Sequence, residues 1–398
     1  MSTRIESLDF LRGSAILGML IANLPWHTGT SMSRIQEVDA SSVAAWLLQY
    51  AIIDQRFMPV FCMLFGAGLL ILAEGRRDAP GFKGFFLKRM GILFLIGLAH
   101  AYLIWPGDIL LTYAICGPIL LLFLRAGPVT LLAAGIALKV IHISILQWPD
   151  LYYQTLDRLL FAWWLEIGDP PMSEAEAYAG TYADLLAYNT WRNQFIQITA
   201  MLHWRIWNAL GFMLIGMAFY RWGVLQGAAS ARMYKRMLIV GLAVGLPFLI
   251  YGLLARIGAS DTVGPFLGWQ VDWPLRGLAH NIGTAFTAIA LLSLLVTGFH
   301  AAQGAAWLRP IQAVGRMALT NYVMHSVIFI VVFAGFEWVA YDTLDPDDRL
   351  VWVIAIWALQ LSFSPLWLEA FNQGPLEMAW RRLAGSGPAR MSKPTPQT

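Results

Sequence analysis

Apolar runs close to twenty residues long recur throughout this chain, and they exclude almost every fold but one. A helix needs about 20 apolar residues to cross a bilayer's hydrocarbon. Ten stretches approach that length, at 8–26, 52–73, 89–105, 109–124, 128–148, 206–222, 237–256, 277–299, 315–335 and 350–370. In lipid every backbone amide must be bonded within its own segment, so such runs fold as helices. The expected fold is therefore all-α, a polytopic transmembrane helical bundle of about ten spans. With 58% hydrophobic and only 13% charged residues, the chain falls far from the roughly 25% charged residues of soluble domains. A net charge of +3, with no basic run interleaved by aromatics, excludes a nucleic-acid partner.

The side on which basic residues fall sets the orientation. Under the ten-span reading, 18 of the 27 Lys and Arg residues lie on the side of the termini, among them Arg76, Arg77, Lys88, Arg89, Arg316, Arg381 and Arg382. Cytoplasmic loops carry that excess, so both termini are expected in the cytoplasm. Residues 1–384 read as one domain. Its longest break, 149–205, reads as an outward loop with short amphipathic surface helices, and DTLDPDDR (342–349) also faces outward. The polar, Pro-containing tail 385–398 is expected to be disordered. Glu6 and Asp9 argue against a cleaved signal peptide and for a retained first span. Two cysteines, Cys62 and Cys116, offer no metal spacing and no disulfide framework, so no metal is expected.

Polar residues then sort into two layers, and charge at membrane depth is costly and usually functional or paired. The outer layer holds Asn23 and His27 on one face of the first span, Asp54 and Arg56 at the start of the second, and His100 at the end of the third. Asp108, His203, Arg205, Arg276, His280 and Asn281 complete it. A base, carboxylates and arginines at one interface suit general acid/base chemistry. The inner layer holds Asp9, Arg12, Lys88, Arg89, Arg316, Glu377 and Arg381. Clustered cations bind phosphates, although the inside bias and anionic headgroups produce such clusters without a ligand.

His100 is the sharpest candidate, because Asp108 follows it across the WPGD turn and a carboxylate fixes an imidazole's tautomer and raises its basicity. The competing reading is a buried histidine beside a turn that merely caps the next helix. Asn321 and His325 share a face four residues apart and could line a substrate strip, or serve as polar glue between helices. Lys139 and His142 have no evident partner. The FGAG run (65–68) reads as close helix packing, and no GxSxG, HExxH or P-loop signature occurs.

Several motifs in order then acquire a joint meaning: RIESLDFLRGSAILGMLIAN, FMPVFCMLFGAGLLI, LKRMGILFLIGLAHAYLIWPGDILLTYAICG, NALGFMLIGMAFYRWGVL, GRMALTNYVMHSVI and FNQGPLEMAWRRL. Together they resemble the YeiB family of bacterial inner-membrane proteins, also called domain of unknown function 418. That family is similar to transmembrane acyltransferases such as the heparan-alpha-glucosaminide N-acetyltransferase, chiefly through the LDFLRG opening and the asparagine at the far end of that span, here Asn23. The resemblance implies a multi-pass inner-membrane acyltransferase. It would take an acetyl group from cytoplasmic acyl-CoA and deliver it to an envelope glycan or lipid on the outer side, with membrane lipids around it and a homodimer as one assembly. Asp9, Arg12, Lys88, Arg89 and Arg316 would then serve the CoA phosphates. His100, Asp108, Asn23 and His27 would serve the reaction centre. Asp54, Arg56, Arg276, His280, Asn321 and His325 would face the acceptor. The alternative is a proton-coupled transporter or flippase for a small envelope metabolite or lipid, in which buried Asp and His relay protons.

Overall fold

The computed structural model describes residues 5–28, 56–147, 168–258, 273–334 and 346–385, and among them every regular element is helical. The first five are α1 (Glu6–Thr28), α2 (Phe57–Ala73), α3 (Phe82–Leu103), α4 (Leu110–Leu120) and α5 (Pro128–Gln147). After α6 (Glu174–Ala179) and α7 (Tyr182–Gln194), a π-helical segment, Phe195–Arg205, runs on into α8 (Ile206–Arg221). The remainder are α9 (Ala231–Gly258), α10 (Trp273–Ala301), α11 (Leu308–Arg316), α12 (Ala318–Phe333), α13 (Pro346–Ala370) and α14 (Pro375–Ala384). Five of these are long and apolar enough to cross a membrane, or six if the bent pair α11–α12 is one span.

Burial separates the inside of the bundle from its outside. Within the apolar window of α1, 72% of residues are buried, against 22% in those of α5 and α13. The opening helix is thus the most enclosed of these candidate spans, with Asp9 buried and Arg12 half-buried beside it. Hydrocarbon gives helices no hydrophobic reason to associate, and close backbone contact across small residues replaces it. A Cβ on Gly66 would stand 2.1 Å from the Met213 carbonyl oxygen, and one on Gly216 2.1 Å from that of Met63. These reciprocal contacts lock α2 to α8 through the FGAG run. Gly13 and Gly315 lock α1 to α11 likewise, against the carbonyls of Ile311 and Asp9.

Two boundaries differ from the sequence expectation. The span expected over 315–335 corresponds to α12, and α11 meets it at 86° just before its start. Gly315 ties α11 to α1, while Glu377 holds the start of α12. Its carboxylate accepts the Leu319 and Thr320 N–H groups at 2.7 and 3.2 Å and the Thr320 hydroxyl at 2.6 Å. An anion there satisfies orphan amides and the positive end of the helix dipole. The expected outward loop is also more ordered than a set of short surface helices. From Tyr182 on it is one continuous helix into α8, and it covers the end of α3. Tyr182, Asn189 and Asn193 donate to the carbonyls of Leu103, Ile104 and Ala101 at 2.6, 3.3 and 2.7 Å. Those are carbonyls left without partners where the helix stops. Residues 149–167, 342–345 and 386–398 of the expected loop, outward segment and tail lie outside the described residues.

Candidate functional site

The α3–α4 hairpin brings an acid and a base together. Gly97 lets the helices close, since a Cβ there would lie 2.7 Å from the Leu111 amide nitrogen and 3.2 Å from Asp108 Oδ1. Asp108, fully buried, caps α4 by accepting the Leu111 N–H at 2.8 Å. Its other oxygen lies 2.8 Å from His100 Nδ1. Arg205 donates to the Asp108 backbone carbonyl at 2.9 Å, placing a cation against a carboxylate that would otherwise be costly to bury. With Asp108 ionised, Nδ1 carries the imidazole proton and Nε2 is left as the basic atom. Nε2 is buried and makes no hydrogen bond. A histidine held by a carboxylate, with a free basic nitrogen, is the arrangement that proton abstraction requires. Asp108 thus caps α4 with one oxygen and pairs with His100 through the other.

Beside this pair stands Tyr322, its ring centroid 5.2 Å from that of His100. Its hydroxyl accepts the Ile109 N–H at 3.2 Å. On its other side opens a cavity of about 900 Å³, which Tyr322 lines and His100 does not. The far end of the cavity is built from Leu93, Leu110, Tyr113 and Tyr322, and its walls are mainly the Phe and Leu side chains of α2 and α3. The mouth is basic, with Arg12, Arg76, Arg89, Arg316 and Arg381 all lining it.

Three of these arginines are held in different ways. Arg12 bonds Asp9 one turn earlier at 3.4 Å. Arg89 lies 4.1 Å over the Trp380 ring, whose indole N–H donates back to the Arg89 carbonyl at 2.8 Å. Arg316 donates to the Asn372 carbonyl at 3.1 Å. Glu377 is the one carboxylate among the lining residues, but its oxygens are engaged at the start of α12. The mouth thus keeps a strong positive excess over an apolar interior.

The structure divides the remaining expected site residues into groups. Lys88 is exposed and sits near Gly385 at the rim. Asp9 does not line the cavity and instead holds Arg12. Asn23 is half-buried on α1, and among the described residues no hydrogen bond joins it to His100 or Asp108. Asn321 ties helices together: its side-chain amide donates to Val314 O and Ser364 Oγ, both at 3.1 Å, and its backbone carbonyl accepts from the Gln360 amide at 3.1 Å. His325, 2% exposed, lies one turn further along α12, beside the Gln360 side chain. Arg56 is buried ahead of α2. His280 lines a second, smaller cavity of about 300 Å³ together with Lys139 and His142. His27 and Arg276 fall on α1 and α10 at positions whose side chains are outside the described residues, as Asp54 is altogether.

Sequence reasoning passed over Tyr322, Arg76 and Trp380. Tyr322 stands inside the quoted TNY motif, and its signal was an aromatic hydroxyl one residue from the polar Asn321. Arg76 was counted only as a loop cation. No local pattern reveals that it turns into a cavity.

Comparison with known proteins places these features in a group. Residues 219–386 match the model of the family "Protein of unknown function (DUF418)". The chain is 29% identical to "Uncharacterized protein YeiB" of Escherichia coli, over 97% of its own length and 98% of the relative's. It is 28% identical to "Uncharacterized protein YxaH" of Bacillus subtilis, over 95% and 93%. A 39.9 kDa protein of Bacillus acidopullulyticus, also named as uncharacterised, is 26% identical over 96% and 93%.

Proposed function

The chain belongs to the YeiB family, and from that premise and the site's geometry we propose that it is a membrane acyltransferase using acyl-CoA, most simply acetyl-CoA, as donor. One observation carries the reading: an arginine-rimmed apolar cavity ends on the tyrosine that packs against a buried His–Asp pair. Phosphates suit the arginine mouth, an acyl-pantetheine arm suits the apolar shaft, and about 900 Å³ lies near the top of the range for small-molecule sites. The thioester would then arrive beside Tyr322. His100 Nε2 takes the proton of an acceptor hydroxyl or amine, and the acceptor atom bonds to the thioester carbonyl carbon. The C–S bond breaks, and the departing CoA thiolate recovers the proton from the imidazolium. Asp108 positions His100 and stabilises that imidazolium. In this reading the Tyr322 hydroxyl and Asn23 are the candidates for the carbonyl oxygen and the acceptor.

The wider setting belongs to the same proposal. Ten spans with both termini in the cytoplasm put the arginine mouth on the CoA side. The α3–α4 turn then faces an envelope glycan or lipid acceptor across a bacterial inner membrane. Homodimerisation is compatible with it. The test is to incubate full-length protein in nanodiscs with radiolabelled acetyl-CoA, following both retention and release of label. The proposal expects binding and slow hydrolysis in wild type, with hydrolysis lost and binding kept in His100→Ala. Unchanged turnover in that variant removes His100 from the chemistry. Solute or proton flux in liposomes without acyl-CoA, together with no CoA binding, would replace the reading with the transporter alternative.

A further inference from the structure

The smaller cavity holds a buried cation that no carboxylate among the described residues neutralises. It lies at the first turn of α2, where Met58 and Pro59 line it, whereas the arginine mouth lies at the other end of that helix. Lys139 of α5 reaches into it, 8% exposed. Its ammonium donates to Asn208 Oδ1 on α8, lies 3.2 Å from His142 Nδ1, and sits 4.6 Å over the Phe212 ring. His280, Asn281 and Thr284 of α10 close the far wall, and among the described residues the lining includes no carboxylate. The Asn281 amide donates to the Gly277 carbonyl of its own helix at 2.9 Å, which leaves one amide proton of that group to spare.

An amide oxygen, an imidazole nitrogen and an aromatic face solvate an ammonium without cancelling its charge. A lone charge this deep is expensive in protein and in a bilayer alike. The usual remedy is a carboxylate on a neighbouring helix, and among the described residues none pairs with Lys139. About 300 Å³ is room for a small polar group rather than a single water. The walls offer further hydrogen-bonding side chains around it.

We propose that this chamber is an anion site, with Lys139 as the counter-charge for a carboxylate or phosphate group. That group would belong either to a soluble metabolite or to a lipid headgroup entering between α5 and α10. The inference goes beyond the acyl-transfer reading and stands without it. If both hold, the anion is the charged end of the acceptor.

The test uses full-length protein in phosphatidylcholine nanodiscs at constant ionic strength. In one arm inorganic phosphate or acetate replaces chloride, and in the other phosphatidylglycerol replaces part of the lipid. A ligand that binds only the folded state raises the unfolding midpoint. One arm should raise the wild-type midpoint by several degrees, a soluble anion in the first or a headgroup in the second. Lys139→Gln should abolish that rise and Lys139→Arg should keep it. Asn281→Leu, which leaves Lys139 in place and fills the chamber, should weaken the response at least tenfold in concentration; it decides the matter should Lys139→Gln fail to fold. A rise that survives Lys139→Gln and Asn281→Leu belongs to the arginine mouth and overturns the proposal. So does a Lys139→Gln variant more stable than wild type in every condition, since the lysine would then have no anion to hold. CoA retention, unchanged in these variants, keeps failure here separate from failure of the acyl-transfer reading.

Discussion

The two cavities handle positive charge in opposite ways. The large one keeps five arginines at its mouth, and three of them lean on a neighbour: Arg12 on Asp9, Arg89 on Trp380, Arg316 on the Asn372 carbonyl. The small one draws one lysine inside, among neutral partners. Cations at a mouth are cheap, since water and headgroups screen them, so such a cluster alone says little. A buried cation carries more information, because the fold must hold it in place against its own desolvation. The large cavity draws its meaning from what lies behind it, the small one from what lies within it.

That contrast can be broken at several points. The largest effect is expected at His100. Replacing it with Ala should lower acyl transfer by about 10²–10⁴-fold, the usual worth of a positioned base, while CoA retention stays unchanged. Asp108→Asn should also lose activity, with a shifted pH–rate profile, because the imidazole loses the acceptor that fixes its tautomer. Next come the backbone contacts on which both cavities depend. Gly216→Val forces α2 and α8 apart at Met63, and overpacking of this kind costs about 1–3 kcal/mol, read as a lower unfolding midpoint and weaker binding at both sites. Arg89→Ala should weaken CoA binding roughly tenfold, with a shallower salt dependence, and should leave the Lys139-dependent anion response untouched. Equal loss at both sites would show that the cavities are not separate.

The smallest effect belongs to α6 and α7. Hydrogen bonds from the backbone and hydroxyl of Ser173 hold the Glu176 carboxyl below the usual range, and those from Thr181 do the same for Asp184. A depressed acid stabilises the fold above its unfolded pKa, and the benefit is lost as pH falls through the lower folded value. Hydrogen exchange in α6 and α7 should therefore rise under acid, with α2 and α8 unaffected.

How much of this could be read from the chain alone depends on the distance over which each feature is encoded. His100 and Asp108 are eight residues apart across a turn, so their meeting was legible, and the Gly97 and Leu111 contacts explain why the hairpin closes. Small-residue packing was legible in FGAG because the requirement for a missing side chain is local. The break between α11 and α12 was not, since it depends on Glu377, some sixty residues further on, reaching back to a helix start. Asn321 and His325 show the same limit. A face shared on one helix says nothing of what lies opposite, and Asn321 turns out to face Ser364 and Gln360 on α13. Lys139 had no visible partner in the sequence because its neighbours come from α8 and from within its own turn.

Tyr322 has one further consequence. A bilayer that stores energy as an ion gradient must also insulate, and a protein with polar hollows at both ends of one helix endangers that insulation. Tyr322 and Tyr113, each 1% exposed, close the inner end of the large hollow. Tyr113 is joined to the fully buried Cys62 at 3.1 Å. Moving one charge across 100 mV is worth about 2.3 kcal/mol, so even a rare water-filled thread through this point would drain power from the cell. Two buried rings with a thiol behind them would keep such a thread from forming at the end of the cavity.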